Sequence, residues 1–305
     1  MTLQLQRREF LLALGTLLWV SACQSENPPT QPQASPSRRI VALEWGFVES
    51  LLTLGIQPIG VADINGYQEY VNIPLKLSEN VQNVGTRQEP NLEAIAHLQP
   101  DLILGVNFRH QGILSALESI APTQLFNAYP DQVSQLTRMK EIFLDVATLT
   151  DQTEIGKEKI QQLETMFQEI KAELQQQESA QRPFVLAEFV PDTSPIRIFT
   201  DDALAIQILS AIGLENAWEG KFSQFGFNRI GLEALSQIQN VNFIYVPPDE
   251  NPNIETEITS DPIWEQLEFV KKNQVYRLAG DTWLYGGVLS ADLLAKQVRD
   301  RLTTQ

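Results

Sequence analysis

At 305 residues with a formal net charge of −16, the chain is too long for one ordinary core and too acidic to be drawn to nucleic-acid phosphates or, by charge, to anionic lipid. A single cysteine excludes an internal disulfide. With only two histidines beside it, a His/Cys zinc site has no donor set.

The chain opens on a charged stretch with twin arginines, Arg7-Arg8, followed by the apolar run Phe10 to Val20 and the small pair Ser21-Ala22. That order is a secretory signal, and its apolar run is shorter than the roughly 20 residues of a permanent span. Val20-Ser21-Ala22-Cys23 reads as a lipobox, so residues 1–22 are expected to be removed and Cys23 to carry lipid. Because the removed piece holds Arg7, Arg8 and Glu9, the mature chain is one unit more negative. Gln6 to Leu11 also fits a twin-arginine export signal, and the general route stays open beside it. Residues 23–37, rich in Pro, Ser, Gln and Asn, form an expected tether that cannot bury enough apolar surface to fold.

From Arg38 onward strands and helices alternate. Arg39–Leu43 is a strand, Phe47–Leu54 a helix stopped at Gly55, and Pro58–Ala62 the next strand. Asn91–Leu98 is helical, Asp101–Val106 a strand and Gly112–Ile120 a helix. Such alternation predicts a mostly parallel sheet covered by helices. Between about Thr150 and Gln177, apolar residues at 155, 160, 163, 166, 167, 170 and 174 mark one face of a long amphipathic helix. Strand signals resume at Pro183–Ala187. The unit Leu92-Glu93-Ala94-Ile95 before one strand is echoed by Leu232-Glu233-Ala234-Leu235 before another. The reading is α/β, with two α/β lobes of mostly parallel sheet, 38–149 and 179–305, joined by one linking helix over 150–178.

The sequence carries no Gly-x-Ser-x-Gly elbow, no Walker loop and no Gly-x-Gly-x-x-Gly after a strand. His97 falls near a helix end, where a solvent-facing role suits it. An exported, tethered, two-lobed chain without this machinery reads as a binding protein rather than an enzyme. A lipid-anchored enzyme or scaffold on the same lobes is the alternative, since fold does not fix function.

Arg39 to Trp45, then Val48-Glu49, Leu54-Gly55-Ile56 and Gly60-Val61-Ala62-Asp63, resemble the opening of the ferric-hydroxamate siderophore-binding proteins of ABC importers. Gly85-Thr86-Arg87-Gln88-Glu89-Pro90-Asn91-Leu92-Glu93 matches a family segment. Asn216-Ala217-Trp218, Pro262-Ile263-Trp264 and Trp283 to Ala291 continue the match in collinear order. The resemblance implies two lobes on one long helix, with a shallow cleft between them. It implies an Fe(III)-siderophore as ligand, the six iron ligands coming from the siderophore and no cofactor from the protein. Arg87 matches the arginine that contacts the oxygens around the iron; its planar fork suits paired oxygens. Pairing of Arg87 with Glu89 or Glu93 is the competing reading.

Trp283 and Tyr285, in the loop after the strand Val275–Leu278, are expected to offer aromatic faces and one hydroxyl. Tyr70 and Phe225 stand where hydroxamate binders carry tryptophan, and Phe108 stands near a family tyrosine with Arg109 beside it. These departures leave a mixed citrate–hydroxamate open beside a simple hydroxamate, with ferric citrate, haem and cobalamin as rival chelates. Trp45 is a cleft or core residue. Glu93 and Glu233 match the two glutamates that dock on the permease. The implied partners are a permease and its ATPase, with no nucleic acid. The protein is expected as a monomer, lipid-anchored on the periplasmic or extracytoplasmic face.

Overall fold

A computed structural model describes residues 38–130, 133–191, 195–248 and 252–304. Cys23, the signal segment and the tether lie outside the described residues. No described helix is long and apolar enough to cross a membrane.

In the first half, β1 (Ile40–Ala42) leads into α1 (Trp45–Thr53). Gly55, at φ +77°, closes α1. Its N–H donates to the Leu52 carbonyl and that of Ile56 to Leu51, the paired bonds of a left-handed helix stop. Then come β2 (Gly60–Val61) and α2 (Ile64–Tyr70), capped by the Asp63 carboxylate, and β3 (Gln82–Asn83). Next, α3 (Leu92–His97) is capped by Asn91, whose side chain accepts from the Ala94 N–H at 2.9 Å. After β4 (Leu102–Val106), the single helix expected over 112–120 is instead α4 (Asn107–His110), a 3-10 turn and α5 (Leu114–Glu118). β5 (Thr123–Phe126) completes a five-stranded sheet in the order β3-β2-β1-β4-β5, with every pair parallel.

Two consecutive helices follow, α6 (Gln135–Leu149) and α7 (Thr153–Leu174). The expected long helix is therefore shorter at both ends, and a preceding helix that the sequence reading missed packs on it. The break is a turn with Asp151 at φ +58°. α7 spans about 33 Å at 1.5 Å per residue. Gly156 lets the two helices close up: a Cβ there would stand 2.6 Å from that of Ala147.

The second half runs β6 (Phe184–Phe189), β7 (Ile196–Phe199), α8 (Leu204–Ala211), β8 (Phe227–Ile230), a 3-10 turn at Leu232–Gln237 and β9 (Asn242–Val246). It ends with α9 (Pro252–Thr259), α10 (Pro262–Gln266), α11 (Glu268–Lys271), β10 (Val275–Arg277) and α12 (Val288–Thr303). Its sheet order is β10-β9-β6-β7-β8. Numbered within each half, both sheets read third-second-first-fourth-fifth. They differ in that β7 runs antiparallel to both its neighbours, β6 and β8. The echoed Leu-Glu-Ala units precede β4 and β9, each hydrogen-bonded to the first strand of its sheet.

Residues of the central strands β1, β4 and β9 are buried on both faces, as parallel sheets between helices require. Ile40 and Ala42 join one apolar cluster, while Val41 and Leu43 join another on the opposite face. The first cluster also takes in Phe184, Leu186 and Ile244 of the second half through residues of α1, α6, α7, α8 and α12. Arg38 to Gln305 accordingly form one compact unit, and a wide hinge opening would expose core.

Candidate ligand cleft

Loops at the carboxyl ends of the parallel strands of both sheets face one cavity of about 460 Å³, the usual place for a ligand on open α/β sheets. From the first half, Trp45 follows β1, Tyr70 ends α2 and Arg87 follows β3. From the second half, Glu188 lies on β6, Arg197 on β7 and Arg229 on β8, with Trp283 and Tyr285 after β10.

Trp45 is both floor and core, only 3% exposed. Its indole N–H donates to the Asp63 carbonyl at 3.1 Å. Tyr70 stacks on it at 6.0 Å, and Trp283 approaches at 5.1 Å with the planes tilted by 59°. The Arg87 guanidinium lies 3.5 Å from the Trp45 ring centroid, a close cation–π contact. Its acidic neighbours are Glu44, at 3.8 Å, and Asp63, at 3.6 Å, rather than Glu89 or Glu93. Among the described residues none accepts a hydrogen bond from the buried Arg87 Nε.

His110 fixes the backbone beneath Arg87. Its Nδ1 accepts from the Val106 N–H at 3.0 Å, which leaves Nε2 as the N–H donating to the Arg87 carbonyl at 2.9 Å. The bond accepted at Nδ1 needs the neutral ring, and burial holds its pKa below the usual value.

Arg109 reaches the site through Glu44, donating to Oε1 at 2.6 Å. Burial raises the Glu44 pKa against the pull of both arginines. Phe108 and Phe225, expected in the ligand cleft, line an adjacent smaller chamber of about 140 Å³, with Tyr285 shared between the two. They meet Tyr129 in an edge-to-face trio, with centroids 5.5–6.2 Å apart. Phe108 is 42% exposed and Phe225 38%, so the trio forms a rim joining the two halves.

The opposite wall is a row set by register. Glu188 is the cross-strand partner of Arg197, and Arg197 that of Arg229, so the three side chains share one sheet face. Arg197 donates to Glu188 at 2.8 Å. Burial raises the Glu188 pKa, and Arg197 opposes it. The Tyr285 phenol is held well above its ordinary pKa by burial first and Glu188 second. Sequence reasoning missed Glu188, Arg197, Arg229, Glu44, Tyr129 and His110. The only trace was arginine inside apolar strands, Ile196-Arg197-Ile198 and Arg229-Ile230.

Glu93 and Glu233 are exposed and occupy equivalent places before β4 and β9, the second on a 3-10 turn rather than an α-helix. Among the described residues no group of three or more His, Cys, Asp or Glu side chains is gathered to hold a metal ion.

A periplasmic binding protein family model matches residues 40–282. The chain is 31% identical over 262 residues to the Fe(3+)-citrate-binding protein YfmC of Bacillus subtilis, covering 86% of this chain and 79% of that one. It is 29% identical over 289 residues to the iron(3+)-hydroxamate-binding protein FhuD of Escherichia coli, covering 94% and 93%. Among solved structures, the siderophore-binding protein FhuD of Vibrio cholerae with bound Fe3+–Desferal superposes with a TM-score of 0.79 at 28% identity, covering 88% of this chain and 98% of that one. The family model spans the strands of both sheets and the helices α6 and α7 between them, and this chain belongs to the periplasmic binding protein family.

Proposed function

We propose that the protein captures an Fe(III)-siderophore of hydroxamate or citrate–hydroxamate type in the cleft and delivers it to an ABC importer, without catalysis. One observation carries the reading. A guanidinium laid on an indole faces a second arginine row across a cavity walled by aromatic rings. A coordinatively complete ferric chelate presents oxygens at its centre and apolar arms at its edge, and this combination suits both. Ferric citrate is the second reading, favoured by Arg197 and Arg229 on the wall opposite Arg87.

The regions 38–149 and 179–305 act as two lobes on the helix between them, moving little because they share a core. Cys23 carries the lipid that tethers a monomeric body to the extracytoplasmic membrane face.

Trp45 and Trp283 report on the cleft. Titration with Fe(III)-siderophores of these types should quench tryptophan fluorescence with micromolar or tighter affinity, at least about 8 kcal/mol. Binding of haem or cobalamin with no response to any ferric siderophore or ferric citrate would reject the reading.

Docking on the permease is assigned to Glu93 and Glu233, one exposed carboxylate per half. Glu93→Ala with Glu233→Ala should leave ligand affinity unchanged while lowering uptake and permease-stimulated ATP hydrolysis, since rim charges act on encounter and orientation. Normal transport by this double variant in reconstituted vesicles would remove the assignment.

A further inference from the structure

We propose that Glu44 sets the charge of the ligand this site prefers. The proposal rests on the ferric-chelate reading above and adds to it a residue that lies outside the lining of the larger cavity.

Glu44 stands at the N-cap of α1, yet its carboxylate caps no helix N–H. It is turned instead between two cations and is only 13% exposed. Oε1 accepts from Arg109 at 2.6 Å, and Oε2 lies 3.8 Å from Arg87. One carboxylate is thus shared by two guanidinium groups from different segments, Arg87 on the loop after β3 and Arg109 on α4 after β4. The sharing is unequal. Arg109 has the short charge-assisted bond, and Arg87 is left with long contacts to Glu44 and Asp63 and a buried Nε that no described residue satisfies with a hydrogen bond. Arg87 is therefore the member poised to turn to an incoming oxygen, while Glu44 stays with Arg109.

The consequence is electrostatic. Glu44 cancels one positive charge at the wall of the smaller chamber beside the cleft, where low exposure leaves little water to screen it. Its carboxylate discriminates against anionic chelates and in favour of neutral or cationic ones. It also holds two like charges together that would otherwise push apart. A glutamine in its place keeps the shape and one acceptor and removes the charge.

The test measures dissociation constants of the wild type, Glu44→Gln, Arg109→Gln and the double variant for two probes, cationic Fe(III)-Desferal and anionic ferric citrate. In Glu44→Gln ferric citrate should tighten and Fe(III)-Desferal weaken. The ratio of the two constants should shift by about fivefold or more per unit of ligand charge, as expected for roughly 8 Å at intermediate dielectric. Arg109→Gln should shift the ratio the other way. The double variant, whose site charge equals that of the wild type, should return it to near the starting value even where both substitutions loosen the fold. Parallel loss of both chelates in Glu44→Gln, with the ratio unmoved, would make Glu44 a scaffold residue and overturn the proposal. Should the wild type bind neither chelate, the ferric-chelate reading itself falls, and this inference with it.

Discussion

Glu49→Ala is expected to lower folding stability by about 3–5 kcal/mol, the largest single effect on the fold. Glu49 lies on α1 in the first half and is fully buried. Its carboxylate crosses to the second half, where it accepts the Gly287 N–H at 2.9 Å and the Ser290 N–H and hydroxyl at 2.8 and 2.7 Å. It serves as the N-terminal cap of α12, supplied by another helix well over two hundred positions earlier in the chain. Burial raises its pKa, and these hydrogen bonds hold the rise in check. Alanine would leave two buried N–H groups and a hydroxyl without an acceptor and a void between the halves. The close approach requires glycine beside it: a Cβ on Gly286 would stand 2.7 Å from the same carboxylate. Urea unfolding of both proteins checks this, and a loss under about 1 kcal/mol would show that the clamp contributes no more than an ordinary surface contact. Ser290→Ala, which deletes one of the three donors, should cost about 1–2 kcal/mol.

Arg87→Ala should weaken ligand binding by about 1.5–3 kcal/mol, roughly tenfold to a hundredfold or more, while leaving fold stability nearly unchanged. The asymmetry follows from the local geometry. Glu44 retains its short bond to Arg109, and Asp63 retains its cap on α2, accepting from the Gly66 N–H at 3.3 Å. Removing Arg87 therefore strands no carboxylate. What is lost is a planar donor held on the Trp45 face. Arg87→Lys should recover little, because a point charge cannot reproduce the stacked fork. Fluorescence titration gives the affinity and thermal unfolding the stability; wild-type affinity in Arg87→Ala would take Arg87 out of the ligand site.

Much of this architecture is written in local sequence. Short apolar runs such as Ile40-Val41-Ala42 and Leu102 to Val106, spaced by helical stretches, give buried strands wherever both sheet faces are covered. Gly55 after α1 and Asn91 before α3 mark helix ends because a left-handed stop and a side-chain cap are local events. The aromatic and cationic cavity-lining residues after β1, β3 and β10 were legible because each follows a strand end within a few residues. The collinear motifs named Arg87, Trp283 and Tyr285 directly. α6 escaped notice because it merges almost without a break into α7, and a three-residue turn leaves little mark on an amphipathic pattern.

Other features existed only once the chain had folded. Glu188, Arg197 and Arg229 become one row through the register of β6, β7 and β8, and register is a pairing of distant segments that no single segment encodes. Phe108 and Phe225 part from Arg87 into a second chamber because α4 carries Phe108 toward Tyr129. The isolated carboxylates Glu44 and Glu49 look alike in sequence, five residues apart near α1. Only tertiary packing turns one to a pair of arginines and the other to the start of α12, because the free energy of a buried charge is decided by the partners that three-dimensional proximity supplies.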